Sequence, residues 1–105
     1  MIARMWHCYT TPENADALEK RIQSEIIPRL NQIKGFQSGQ LLRRNLLQEV
    51  EFVGITYFDS LDPLRALVGE DFGQLLLSED ALRLLLRFDK RASFYTIPID
   101  TQKRG

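Results

Sequence analysis

The chain has 105 residues, 44% of them hydrophobic, which is enough for one domain with one modest core and too much for a disordered chain. Fourteen Lys plus Arg balance fourteen Asp plus Glu. The basic excess that neutralises phosphates is therefore missing and no nucleic-acid partner is expected; Arg43-Arg44 and the group Arg87, Lys90 and Arg91 read as solvated charge.

Ile2 to Tyr9 reads as a strand. Ile2, Arg4, Trp6 and Cys8 fall on one face and Ala3, Met5, His7 and Tyr9 on the other. Both faces are largely apolar, as in a central strand. A helix follows, with Thr11 as N-cap and Pro12 at the first helical position, where a missing N–H costs nothing. Ala15, Leu18, Ile22, Ile26, Leu30 and Ile33 recur at steps of three and four and form one apolar stripe. Pro28 predicts a kink or an early end, and Gly35 closes the connection.

Phe36 to Arg44 is a second strand, weakened by Gly39 and placed at an edge. After a turn over residues 45–49, Val50 to Phe58 is the strongest strand pattern, apolar on both faces. Ser60 is set to cap a short helix with Leu61, Leu64, Leu67 and Val68 as its apolar side and Gly69 at its end. Residues 70–77 are ambiguous. Ser78 caps a third helix expected to carry Leu82, Leu85 and Leu86, and Ala92 to Ile97 is the last strand, ended by Pro98. One domain over residues 1–99 and a flexible tail over 100–105 follow.

The order β-α-β-β-α-β is the ferredoxin-like split unit, α+β in class. Right-handed crossovers place strands one and three in the centre of a four-stranded antiparallel sheet, with the helices on one face. The opposite face stays apolar in both central strands, and the chain has no element left to cover it. A second copy is the expected cover, so the chain is read as a homodimer.

The stretches "IARMWHCYT", "FVGITYFDSLDPLRALVGEDF" and "LLLRFDKRASFYTI" together resemble the antibiotic-biosynthesis-monooxygenase-like group of dimeric α+β barrels, over roughly residues 1–97. The resemblance implies the fold, and for activity a small cofactor-free oxygenase. Such an enzyme needs a base to take a proton from a phenolic or anthrone-type substrate, whose anion then reduces dioxygen. His7, the chain's one histidine, is the candidate base. Met5, Tyr9, Tyr57 and Tyr95 are the candidate substrate contacts, and Asp71 is read as a solvated loop carboxylate. On this reading His7 faces the helices and a pocket, and Trp6 faces the partner sheet. The alternative is a non-catalytic dimer that binds a small apolar or phenolic ligand, or serves as an assembly module.

The departures from the group are informative. Haem-degrading relatives place an asparagine, a tryptophan and an axial histidine where this chain has His7, Leu67 and about Leu76, so no haem is expected. Many relatives carry a His-Tyr pair on the last strand; here it is Phe94-Tyr95. One histidine and one cysteine cannot build a zinc site, and no metal or other cofactor is expected. Cys8 is read as inert, since nothing nearby in sequence would lower its pKa. The lone cysteine excludes an internal disulfide, no apolar run approaches the roughly 20 residues of a membrane span, and no signal-peptide pattern opens the chain. A reducing, cytoplasmic setting without a membrane partner is expected.

Overall fold

The computed structural model describes residues 1–60, 62 and 76–101. Strand β1 (Ile2–Thr10) leads through Thr11 into helix α1 (Pro12–Asn31). Thr11 Oγ1 accepts the Asn14 N–H at 3.2 Å, so the cap read from the sequence forms. The helix runs through Pro28 without ending there. The carbonyl left without its N–H belongs to Ser24, which lies on the exposed side of the helix, where water satisfies it. Gly35, with φ of 91°, makes the return into the sheet at a backbone angle that suits glycine.

Strands β2 (Phe36–Asn45) and β3 (Val50–Phe58) form a hairpin closed by a bond from Leu46 N–H to Glu49 O at 2.8 Å. Helix α2 (Glu79–Leu82) is a single turn capped by Ser78, whose hydroxyl accepts the Ala81 N–H. Strands β4 (Leu85–Phe88) and β5 (Ser93–Thr96) complete the chain. The sheet is antiparallel with β2 at one edge, then β3, then β1; β4 and β5 both pair β1. Strands β1 and β3 are therefore central, as the two-faced apolar pattern requires.

The structure corrects two expectations about the last third. Leu85 and Leu86 lie in a strand, not in the helix opened by Ser78. The apolar run 84–86 suits either state, and pairing with β1 decides it: Thr10 Oγ1 donates to Leu84 O, and Leu85 and Arg87 stand opposite Thr10 and Tyr9. The last strand is also broken. Residues 89–92 stand opposite only Trp6 and His7, which makes a bulge, so the sheet has five strands where four were expected. The helix expected after Ser60, with Leu67, and also Asp71, lie outside the described residues, as do residues 102–105.

The core fixes which side of the sheet is inner. Trp6, Cys8, Val50 and Phe52 are buried against Ala15, Leu18 and Ile22 of α1, with Leu77 and Ala81 completing the cluster. A second cluster joins Leu30, Ile33, Phe58 and Leu76. The even-numbered residues of β1 thus face the helix, and His7 and the other odd-numbered residues face away. This overturns the expected assignment, in which His7 faced the helices and Trp6 a partner.

Trp6 is a core residue whose indole stacks at a tilt on Phe88, 6.1 Å between ring centroids. Trp6→Ala is expected to cost about 3–5 kcal/mol of stability in urea unfolding. A loss below about 1 kcal/mol would show that the tryptophan does not hold the helix to the sheet.

Candidate functional site

Strand alternation divides the chemistry of this chain between the two faces of one sheet. The inner face and α1 enclose a cavity of about 570 Å³, within the range of small-molecule sites. Three cross-strand rungs form its floor: Arg4, Thr56 and Gly39; then Trp6, Gly54 and Leu41; then Cys8, Phe52 and Arg43. Ile22, Ile26 and Leu30 of α1 line the opposite wall. Among the described residues outside its own chain neighbours, a Cβ built on Gly54 would come no nearer than 4.0 Å to a heavy atom, the Trp6 carbonyl oxygen, so the missing side chain leaves room there. Gly39 is tighter: its Cβ would meet Ile55 O and Thr56 Cγ2 at 3.2 Å.

Polar residues of the cavity include Arg4, Thr56 and Glu19, with Gln23, Asn31 and Gln40 also lining it. At one end Arg43 bonds to Asp16 and Glu19 of α1 at 2.9 and 3.2 Å and lies over the Phe52 ring, one cation shared between two carboxylates. At the other end is Arg4, only 8% exposed. Burial, reinforced by the like charge of Arg29, brings the Arg4 guanidinium down to about 10. Thr56 Oγ1, on the strand beside Arg4, is buried with no hydrogen-bond partner among the described residues. Cys8 is fully buried in the floor; its thiol is pushed up to about 12 by burial, with the negative charge of Asp89 acting the same way.

The residues singled out from the sequence are brought together, but on the outer face. The rungs there are Ala3 with Tyr57 and Tyr95, Met5 with Ile55, His7 with Val53, and Tyr9 with Glu51. None of Met5, His7, Tyr9, Tyr57 and Tyr95 lines the cavity. His7 is half-exposed and its Nδ1 lies 2.9 Å from Asp89 Oδ2. That same oxygen accepts the His7 backbone N–H at 2.9 Å. Tyr9 donates to Glu51 at 2.8 Å, which holds the Glu51 carboxyl below its ordinary range and the Tyr9 phenol above its own. Arg87 lies 3.9 Å over the Tyr9 ring and forks onto Glu49.

Asp89, which bonds Trp6 and His7, and Arg4 and Gly54, which line the cavity, are not among the candidate site residues read from the chain. Asp89 was legible in part, because the charged triplet "DKR" interrupts two apolar stretches and marks the bulge. Leu76 is buried with Leu30 and Phe58, and its carbonyl accepts from Arg29. Among the described residues no group of three or more His, Cys, Asp or Glu is placed to hold a metal ion, and no helix is long and apolar enough to cross a membrane.

No family model matches the chain, and no curated protein matches it by sequence. Solved structures do match. A candidate antibiotic biosynthesis monooxygenase from Bacillus cereus superposes with a TM-score of 0.73 at 11% identity, over 100% of this chain and 98% of that one. Another from Deinococcus radiodurans gives 0.70 at 18% identity, with both chains covered in full. A dimeric ferredoxin-like protein from an uncultured marine organism gives 0.59 at 13% identity, over 97% and 98% of the two chains. At these identities the likeness is one of fold: the chain has the ferredoxin-like α+β fold of the antibiotic biosynthesis monooxygenase-like proteins.

The burial of Cys8 gives a direct check on the packing of the floor. Its thiol is expected to resist a thiol-exchange reagent in the folded protein at pH 8 and to react fully once the chain is unfolded in denaturant. Rapid reaction of the folded protein would mean that the floor opens.

Proposed function

We propose that the chain is an antibiotic-biosynthesis-monooxygenase-like protein that takes up an apolar small molecule, without haem, in the cavity between α1 and the sheet. The observation behind this reading is Gly54. Glycine in the middle of a central strand weakens it and buries nothing, and a β-branched residue is the ordinary choice there. Here the backbone allows a side chain and the space for one is left in the cavity floor, between Trp6 and Leu41. Most of the lining is aliphatic or aromatic, with Glu19, Gln23, Asn31 and Gln40 among it, which suits a ligand held mainly by its apolar surface.

Gly54→Val tests this. The neutral fluorescent probe N-phenyl-1-naphthylamine is expected to bind the wild type and to take up excitation energy from Trp6, the chain's one tryptophan. The valine should weaken probe binding by about tenfold or more, since it fills the space, while leaving the melting temperature unchanged or higher. A variant that binds the probe as well as the wild type would defeat the cavity reading.

The His7–Asp89 bond favours a second reading, in which the outer face carries acid–base chemistry. A carboxylate that accepts the Nδ1 proton leaves Nε2 of the neutral ring as a proton acceptor. On this reading the apolar outer face is covered by a second copy and His7 removes a proton from a phenolic substrate held near Met5, Tyr9, Tyr57 and Tyr95. Wild type should then scatter light as twice the 12.2 kDa chain and Ile55→Asp, which puts a charge into the interface, as a monomer. With an anthrone as substrate, His7→Phe should lower oxygen uptake by about 10²–10⁴-fold. Equal uptake by wild type and His7→Phe would remove the base from the scheme.

A further inference from the structure

The cavity reaches the surface along the seam between α1 and β2, and one side chain spans that seam. We propose that Arg43 is a strap: bonded across to Asp16 and Glu19, it holds α1 against β2 and sets how fast a ligand enters and leaves. The inference rests on the cavity reading above and adds the route into the cavity and what controls it.

The seam is marked by residues that are exposed and also line the cavity. On α1 these are Glu19, Gln23, Ile27 and Asn31, one ridge at steps of four. On β2 they include Gly39 and Leu41. The two rows are the lips of a slot, roughly 18 Å long on the helix side. Each end of the slot is closed by a different means. At one end the chain itself joins α1 to β2 through residues 32–35, and Phe36 packs on Phe58 with 5.8 Å between ring centroids. At the other end the closure is Arg43. It stands opposite Phe52 on the inner face, lies 5.6 Å from the centroid of that ring, and reaches Asp16 and Glu19 at 2.9 and 3.2 Å. Among the described residues these two are the side-chain bonds that join β2 to α1.

The strap can yield where the covalent end cannot. The Asp16 and Glu19 side chains are 87% and 50% exposed, so water and salt compete for Arg43. One guanidinium serves two carboxylates, so it can release one bond while it keeps the other. With both released, the lips are free to part at that end, while the floor on β1 and β3 keeps its ladder. Entry and exit then quicken together. The affinity changes little, because the apolar lining that holds the ligand is the same in the strapped and the released protein.

The test is stopped-flow mixing with N-phenyl-1-naphthylamine, read by energy transfer from Trp6. The probe is neutral, so a lost charge does not alter its attraction to the protein. At about 20 mM NaCl, Arg43→Met is expected to raise kon and koff alike, by about threefold or more, with Kd within about twofold of wild type. Asp16→Asn combined with Glu19→Gln frees the strap from the helix side and should do the same, so the test stands if either variant fails to fold. At about 1 M NaCl, where charges are screened beyond about 3 Å, variant and wild-type rates should converge. Arg21→Met breaks the Arg21–Glu25 pair, which lies within α1 and does not cross the slot, and should leave the rates unchanged. If Arg43→Met exchanges the probe at the wild-type rate in low salt, the strap does not control entry and the inference falls while the cavity reading stands. If koff alone rises and Kd weakens with it, Arg43 holds the ligand and is not a strap. If Arg21→Met speeds exchange as much, a loosened helix is the cause and the inference falls. If wild type does not bind the probe, the cavity reading falls and takes this inference with it.

Discussion

The structure is organised around one residue in the bulge of the last strand. Asp89 has four bonds to two consecutive residues of β1: its carbonyl accepts the Trp6 indole N–H, its own N–H donates to His7 O at 2.9 Å, and its carboxylate accepts both the His7 N–H and Nδ1. Trp6 and His7 point to opposite faces, so a single residue at the sheet edge fixes a side chain on each side. The bulge that presents Asp89 also splits the last strand into β4 and β5. A straight ladder would have placed an ordinary pair there and left the indole N–H on the buried side without an acceptor, at a cost of about 1–3 kcal/mol.

Much of the fold was legible because local rules and packing agree. Thr11, Pro12 and Ser78 start their helices where capping chemistry puts them, and Val50 to Phe58 is a strand with the bounds its alternation gives. The site was less legible, for a definite reason. In β1 both faces are apolar, and His7 and Trp6 are each compatible with core or surface, so period-two alternation separates the residues into two sets without saying which set is inner. The helix decides it: the stripe Ala15, Leu18 and Ile22 meets Trp6 and Cys8, a tertiary fact that no local pattern in β1 contains. The helical expectation for Leu85 and Leu86 failed for the opposite reason, since the three leucines 84–86 in a row carry no period at all.

The cavity exists because three small choices coincide. Gly54 leaves a gap in the middle rung, Gly39 lets β2 lie close to Thr56, and α1 presents Ile22, Ile26 and Leu30 rather than aromatic residues across from the gap. Each alone would be an ordinary packing detail. Together they leave a space of about 570 Å³ beside a helix among the described residues.

The separation of the two faces limits how the chain can work. A base at His7 cannot reach a molecule in the cavity, because the sheet backbone lies between them and neighbouring residues of a strand project to opposite sides. Cavity chemistry would have to rely on groups that line it, and among the described residues these are the Arg4 guanidinium, the Thr56 hydroxyl, the Cys8 thiol, whose pKa burial raises, the amides of Gln23, Asn31 and Gln40, and the Glu19 carboxylate, which Arg43 engages. Acid–base chemistry at His7 would instead have to occur on the outer face, where only another molecule laid against the sheet can exclude water. The same strand therefore lines a partly open cavity on one side and carries a half-exposed His7–Asp89 pair on the other, and Asp89 bonds to a side chain on each.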